Sequence, residues 1–161
     1  MVADYLSCSH PKTVLKDRIA RIIAATRFPF VDQTTWDEDR RTLVNTRKEK
    51  PYGVETSKVV LYPSIVVLNP DGAIREIGEV EMGVNKRLLQ KWRLLSEATG
   101  MGEQYKKLFL YVPKGEGSEA QRLLEKCGIE YAGLREWNIE DGILVTRPVK
   151  TPDMEYDHRV S

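Results

Sequence analysis

A chain of 161 residues, 41% hydrophobic and 30% charged, fits one domain with a real apolar core. Its 25 Lys and Arg against 24 Asp and Glu give a formal charge of +1, which excludes whole-protein basicity as a route to nucleic acid; any basic surface must be local. Apolar runs stay below the roughly 18 residues of a membrane span and no signal-peptide pattern is present, so the expectation is no membrane and a cytoplasmic protein. Cys8 and Cys127 lack CxxC spacing and read as reduced thiols.

Residues 1–10 show no periodicity and are expected as a flexible N-terminus. From Pro11 to Thr26, Val14, Leu15, Ile19, Ile22 and Ile23 recur at spacings of three and four, which predicts one buried helical face. Pro11 suits a first turn, and the FPF at 28–30 ends the helix. The following TTWDEDRRTLVNTRKEKPYGVE is dense in charge, with one short strand expected around Arg41 to Asn45. Arg40, Arg41, Arg47, Lys48 and Lys50 form its candidate nucleic-acid-binding surface. The competing reading is a solvated loop neutralised by Asp37, Glu38, Asp39 and Glu49.

Lys58 to Leu68 and Ala73 to Val80 are rich in β-branched residues, and Asn69-Pro70-Asp71-Gly72 between them is a turn. A β-hairpin follows. Leu88, Leu89, Trp92, Leu95 and Thr99 then mark a helix over Val84 to Thr99, with Lys86, Gln90, Arg93 and Glu97 on its polar stripe. KLFLYV at 107–112 is a short strand. Ser118 to Cys127 is a second amphipathic helix, stopped by Gly128. Lys114-Gly115-Glu116-Gly117-Ser118 lacks phosphate-loop spacing and reads as a strand-to-helix turn. Strands near Glu130 to Trp137 and Ile143 to Thr146 complete the pattern, leaving 148–161 as a mobile tail. The alternation implies crossovers, hence an α/β fold with a mixed β-sheet flanked by helices in a single domain, 11–147.

Glu79 and Glu81, two apart on a strand, point to one face of the sheet and can aim at one hard divalent cation. A symmetric hairpin places Ser64 opposite Ile77, diagonal to Glu79 at roughly 7–8 Å. Asp71 sits at the hairpin tip, roughly 26 Å from Glu79 at ~3.3 Å per residue, and is a turn residue. His10 and His158 lie in weakly patterned ends, so Ser64 has no positioned base and is not read as a nucleophile.

YPSIVVLNPDGAIREIGEVE, a helix with Gln90-Lys91-Trp92, then LFLYVPKG, a helix and GLREW resemble the PD-(D/E)XK nuclease superfamily over roughly residues 11–138. Within it, the chain is similar to a small bacterial and archaeal group. The resemblance implies a restriction-endonuclease-like core. Its Pro-Asp position is taken by Pro63-Ser64, and its acid-x-Lys position by Glu79-Val80-Glu81. Glu79 and Glu81 would hold Mg2+, with Ser64, Lys86 and Gln90 as the other site residues. Lys86 or Gln90 would stand in for the missing lysine, and Lys86 or Lys91 would offset developing charge. Trp92 is expected to plug the core on the helix's opposite face, and Asp17 matches loosely an extra acid of some members.

A neutral hydroxyl at Ser64, where a bridging carboxylate is the pattern, removes one charged ligand. The expectation is therefore a nuclease-like domain with an altered metal site, a Mg2+-dependent DNA phosphodiesterase if active. The alternative is a non-catalytic nucleic-acid-binding or protein-assembly module that retains the fold. DNA is preferred to RNA as partner, and a homodimer is a further implication of the resemblance.

Overall fold

A computed structural model describes the backbone of residues 2–26, 41–99 and 107–151, with side chains from Lys12 onward. Helix α1 (Val2–Thr26) leads to β1 (Arg41–Val44), a small pair β2 (Val54–Glu55) and β3 (Val60–Leu61), then β4 (Ile65–Leu68) and β5 (Ile74–Val80). After these come α2 (Leu88–Ala98), β6 (Leu108–Pro113), α3 (Gly117–Lys126), β7 (Gly133–Glu140) and β8 (Ile143–Lys150). The six-stranded sheet runs β1-β4-β5-β6-β7-β8, and β2 pairs with β3 separately. Neighbours are antiparallel from β1 to β5 and again at β7–β8, while β5–β6 and β6–β7 are parallel. Parallel neighbours need crossovers, which α2 and α3 supply.

Both faces of the sheet are covered, which is why β4 and β6 read as continuous apolar runs rather than alternating ones. On one face Ile19, Ala20 and Ile23 of α1 pack with Ile65, Val67, Val80, Phe109 and Tyr111. On the other, Trp92 and Leu95 of α2 and Ala120 and Leu124 of α3 pack with Val66, Ile77, Leu108 and Leu110. Each fully buried Val, Leu, Ile or Phe among them contributes about 1.5–3 kcal/mol relative to exposure. Among the described residues no helix is long and apolar enough to cross a membrane.

Several boundaries differ from the sequence reading. The backbone of α1 begins at Val2, so Pro11 lies inside the helix rather than in its first turn. Val14 is 48% exposed and leaves the expected buried stripe; at about 100° per residue it falls on the side opposite Ile23. The expected strand from Lys58 to Leu68 breaks at Pro63, which has no N–H for a ladder.

The hairpin register also shifts. Asn69 N–H donates to Ala73 O at 2.9 Å and a bulge follows between Val67 and Leu68, so Val66 pairs with Ile77 and Ile65 with Gly78. Ser64 therefore continues the ladder opposite Glu79, not Ile77. At the chain's far end, Asp141 and Gly142 have φ of 52° and 77°, as a two-residue type I′ turn requires. That turn extends β8 to Lys150, so 148–150 belong to the sheet; 152–161 lie outside the described residues.

Candidate functional site

The period of two on β5 sends Val80 into the α1-side core and turns Glu79 and Glu81 to the α2 side, where both are almost fully buried. Ser64, immediately before β4, is buried with them. Its N–H and hydroxyl both donate to Glu79 Oε1, at 3.1 and 2.6 Å, and its Oγ accepts Val80 N–H at 3.1 Å. The Ser64 hydroxyl thus gives its one donor to Glu79 and one of its two acceptor positions to Val80.

Two lysines from opposite sides of the sheet close the cluster. Lys91 Nζ of α2 lies 3.0 and 2.7 Å from the two carboxylate oxygens of Glu81 and 3.5 Å from Glu79 Oε2. Lys16 Nζ of α1 lies 3.8 Å from Glu79 Oε1. Trp92 fills the core as expected but also reaches the site, its indole N–H donating to Glu81 Oε2 at 2.7 Å. Trp137 donates to the Glu81 carbonyl at 2.9 Å and fixes the backbone there.

The helix residues expected at the site are elsewhere. Because α2 starts at Leu88, Lys86 precedes it in a turn, exposed and electrostatically coupled to Glu119. Gln90 is exposed on the helix, and neither residue bonds to Glu79 or Glu81. Lys91 takes their place. Its spacing contained the signal, three after Leu88 and four before Leu95, which puts a lysine within the buried stripe. Lys16 carries a comparable spacing, three before Ile19 and seven before Ile23, but the acid it meets depends on how α1 lies across the sheet end.

Burial pushes the Glu79 carboxyl up, but Lys91, Lys16 and the Ser64 hydrogen bonds outweigh it and hold the group below its ordinary value. Burial and the charge of Glu79 push Glu81 above its ordinary value, against Lys91 and Trp92. Burial works against the Lys91 ammonium, yet the two carboxylates hold its pKa above the ordinary lysine value. Two acids and two lysines make the cluster formally neutral. Three of the four carboxylate oxygens are hydrogen-bonded and the fourth faces Lys91, so a divalent cation between the acids would have to displace that ammonium. Among the described residues no group of three or more His, Cys, Asp or Glu side chains converges for a metal.

Of the basic residues, Arg40 lies outside the described residues, as do the side chains of His10 and His158. Arg41 opens β1, and Arg47, Lys48 and Lys50 are exposed in the turn that follows. This turn adjoins the cluster: Asn45 N–H donates to Ser64 O at 3.0 Å, and its Nδ2 donates to Tyr52 O and Pro63 O at 2.8 and 2.7 Å. Asp17 does not reach Glu79; its carboxylate accepts the Arg47 N–H at 3.3 Å. Asp71 is exposed and accepts Ala73 N–H at 2.9 Å, a turn residue as the distance required. The Gly117 amide at the start of α3 is taken by the Glu136 carboxylate at 2.8 Å. Comparison with known protein families, curated proteins and solved structures finds no match to this chain.

Proposed function

We propose that this chain is a non-catalytic nucleic-acid-binding module on a restriction-endonuclease-like core, with its acid pair used as an internal ion cluster. The observation that carries the reading is Lys91, whose ammonium sits 3.5 Å from Glu79 and 2.7 Å from Glu81. A cation tethered to α2 already occupies the place between the carboxylates. Mg2+ needs near-octahedral oxygen ligands at about 2.0–2.1 Å, and the neutral Ser64 offers none of the charge that would compensate for losing Lys91. The helix, hairpin, helix, strand order, with Glu79 on the second hairpin strand and Glu81 immediately after it, supports the likeness to the nuclease core. The exposed basic turn beside the cluster supports nucleic acid as partner, since backbone phosphates are recognised by local Lys and Arg.

Two measurements on the wild-type chain test the reading. Calorimetry with millimolar Mg2+ or Mn2+ is expected to show no saturable heat. A fluorescent DNA duplex, with RNA as competitor, is expected to bind with an affinity that falls steeply with salt. Plasmid nicking that requires Mg2+ and disappears in Glu79→Ala would replace this reading with a Mg2+-dependent DNA phosphodiesterase.

A further inference from the structure

We infer that the cleft between α1 and the turn after β1 holds one backbone phosphate of a nucleic acid, with Arg21 and Lys48 as its ligands. Resting on the binding-module reading, this gives that module a defined contact point and adds a residue, Arg21, from outside the 40–50 cluster.

Val14, Asp17 and Arg21 line one wall and Arg47 and Lys48 the other, around about 220 Å³. One water needs about 10–15 Å³, so the space admits a much larger group. The three α1 residues are spaced three and four apart and form a single stripe. Three cations face one acid here. Arg21 and Lys48 enter no ion pair among the described residues, so an anion in the cleft would relieve their mutual repulsion. Guanidinium presents a planar fork that matches two phosphate oxygens, and Lys48 adds a point charge. Val14, half exposed, offers an apolar surface suited to the adjoining sugar.

The site is built rather than floppy. Thr46 N–H donates to Glu49 O at 2.6 Å, and Glu49 N–H returns to Thr46 Oγ1 at 3.1 Å. Asn45 ties the turn to residues 52 and 63, and Asp17 holds the Arg47 amide. A turn fixed at both ends loses little entropy when its side chains engage a ligand. Asp17 therefore positions the turn at the cost of one opposing charge.

The test uses the full chain, with inorganic phosphate followed by isotope-edited NMR and a fluorescent DNA duplex followed by anisotropy across a salt series. Phosphate is expected to produce saturable shifts confined to residues 14–21 and 45–49. Arg21→Ala and Lys48→Ala, both exposed and spared by the core, should each weaken DNA binding about fivefold and lower the slope of log affinity against log salt by about one. Asp17→Asn keeps an acceptor for Arg47 and should raise affinity about two- to fivefold. Unchanged DNA affinity in both alanine variants overturns the cleft while the module reading stands. Absence of binding to either DNA or RNA by the wild type overturns both.

Discussion

The Ser64 hydroxyl and the Glu79 carboxylate meet at 2.6 Å across β4 and β5, with both residues buried. A serine here donates to the acid; an aspartate would confront it with a second negative charge. Two lysines already balance Glu79 and Glu81, so the side chain at 64 decides whether the cluster is neutral or carries an excess charge.

Ser64→Ala removes a donor to Glu79 and the acceptor of Val80 N–H, and should cost about 1–3 kcal/mol in urea unfolding. Ser64→Asp should cost more, about 3 kcal/mol, because an uncompensated buried charge appears. Millimolar Mg2+ or Mn2+ should recover part of that loss in the Asp variant and none in the Ala variant, as preferential binding to the folded state requires.

Neutralising the two acids should have unequal effects. Glu79 is held ionised by two lysines and Ser64, whereas Glu81 is pushed toward protonation by burial and its neighbour. Glu79→Gln should cost about 2 kcal/mol and Glu81→Gln below about 1 kcal/mol, since the amide oxygen introduced by the second change still accepts the Trp92 N–H. Equal losses in paired denaturation curves would contradict the assignment.

Lys91 gives the cluster an alkaline limit. Its folded pKa lies above the ordinary 10.5, so its contribution is full below 10.5 and is lost as pH rises through the folded value. Glu79, lowered from 4.5, contributes above 4.5 and loses this as pH falls through its folded value. Lys91→Met should cost about 3 kcal/mol at neutral pH and flatten the alkaline limb. The variant should regain stability as pH falls from neutral towards 4.5, because Glu81, raised in the fold, takes up a proton there. Thermal unfolding across pH reads all three limbs.

Asn45 makes three side-chain hydrogen bonds, two that close the basic turn (to Tyr52 O and from Tyr52 N–H) and one, to Pro63 O, that ties it to the segment carrying Ser64. Asn45→Ala should cost about 2–3 kcal/mol. It should also weaken duplex binding without removing any cation, whereas Asn45→Asp, which keeps the acceptor for Tyr52 N–H, should be intermediate. Affinity that tracks only charge would separate the turn's geometry from binding.

The hairpin was legible because Asn-Pro-Asp-Gly between two β-branched runs has few alternatives. The common face of Ser64, Glu79 and Glu81 survived a wrong register for a physical reason: the shift was by two residues, and side-chain direction repeats every two. What the shift changed was distance, turning a diagonal neighbour into a direct one. The bulge at Val67 and Leu68 that helps set this register had no sequence signature. Lys91 was legible in its spacing to Leu88 and Leu95, but a lysine on an apolar stripe reads as an interruption until two buried acids are found beneath it. Lys16 shares the stripe of Ile19 and Ile23 by the same kind of spacing, but its partner was not legible, since it reaches Glu79 only through the placement of a helix on the opposite face.

Among the described residues the sheet ends at β1 and β8, and both edge strands carry features that disfavour pairing with another strand. β1 is four residues long and opens with the exposed Arg41. β8 is longer but carries Pro148 flanked closely by Arg147 and Lys150, so part of its outer rim lacks a donor and the rest is charged. Edge-to-edge growth into fibrils is thereby discouraged in a protein whose inner strands β4 and β6 are continuous apolar runs. A second copy of the chain would have to be met through side chains rather than by extending the sheet.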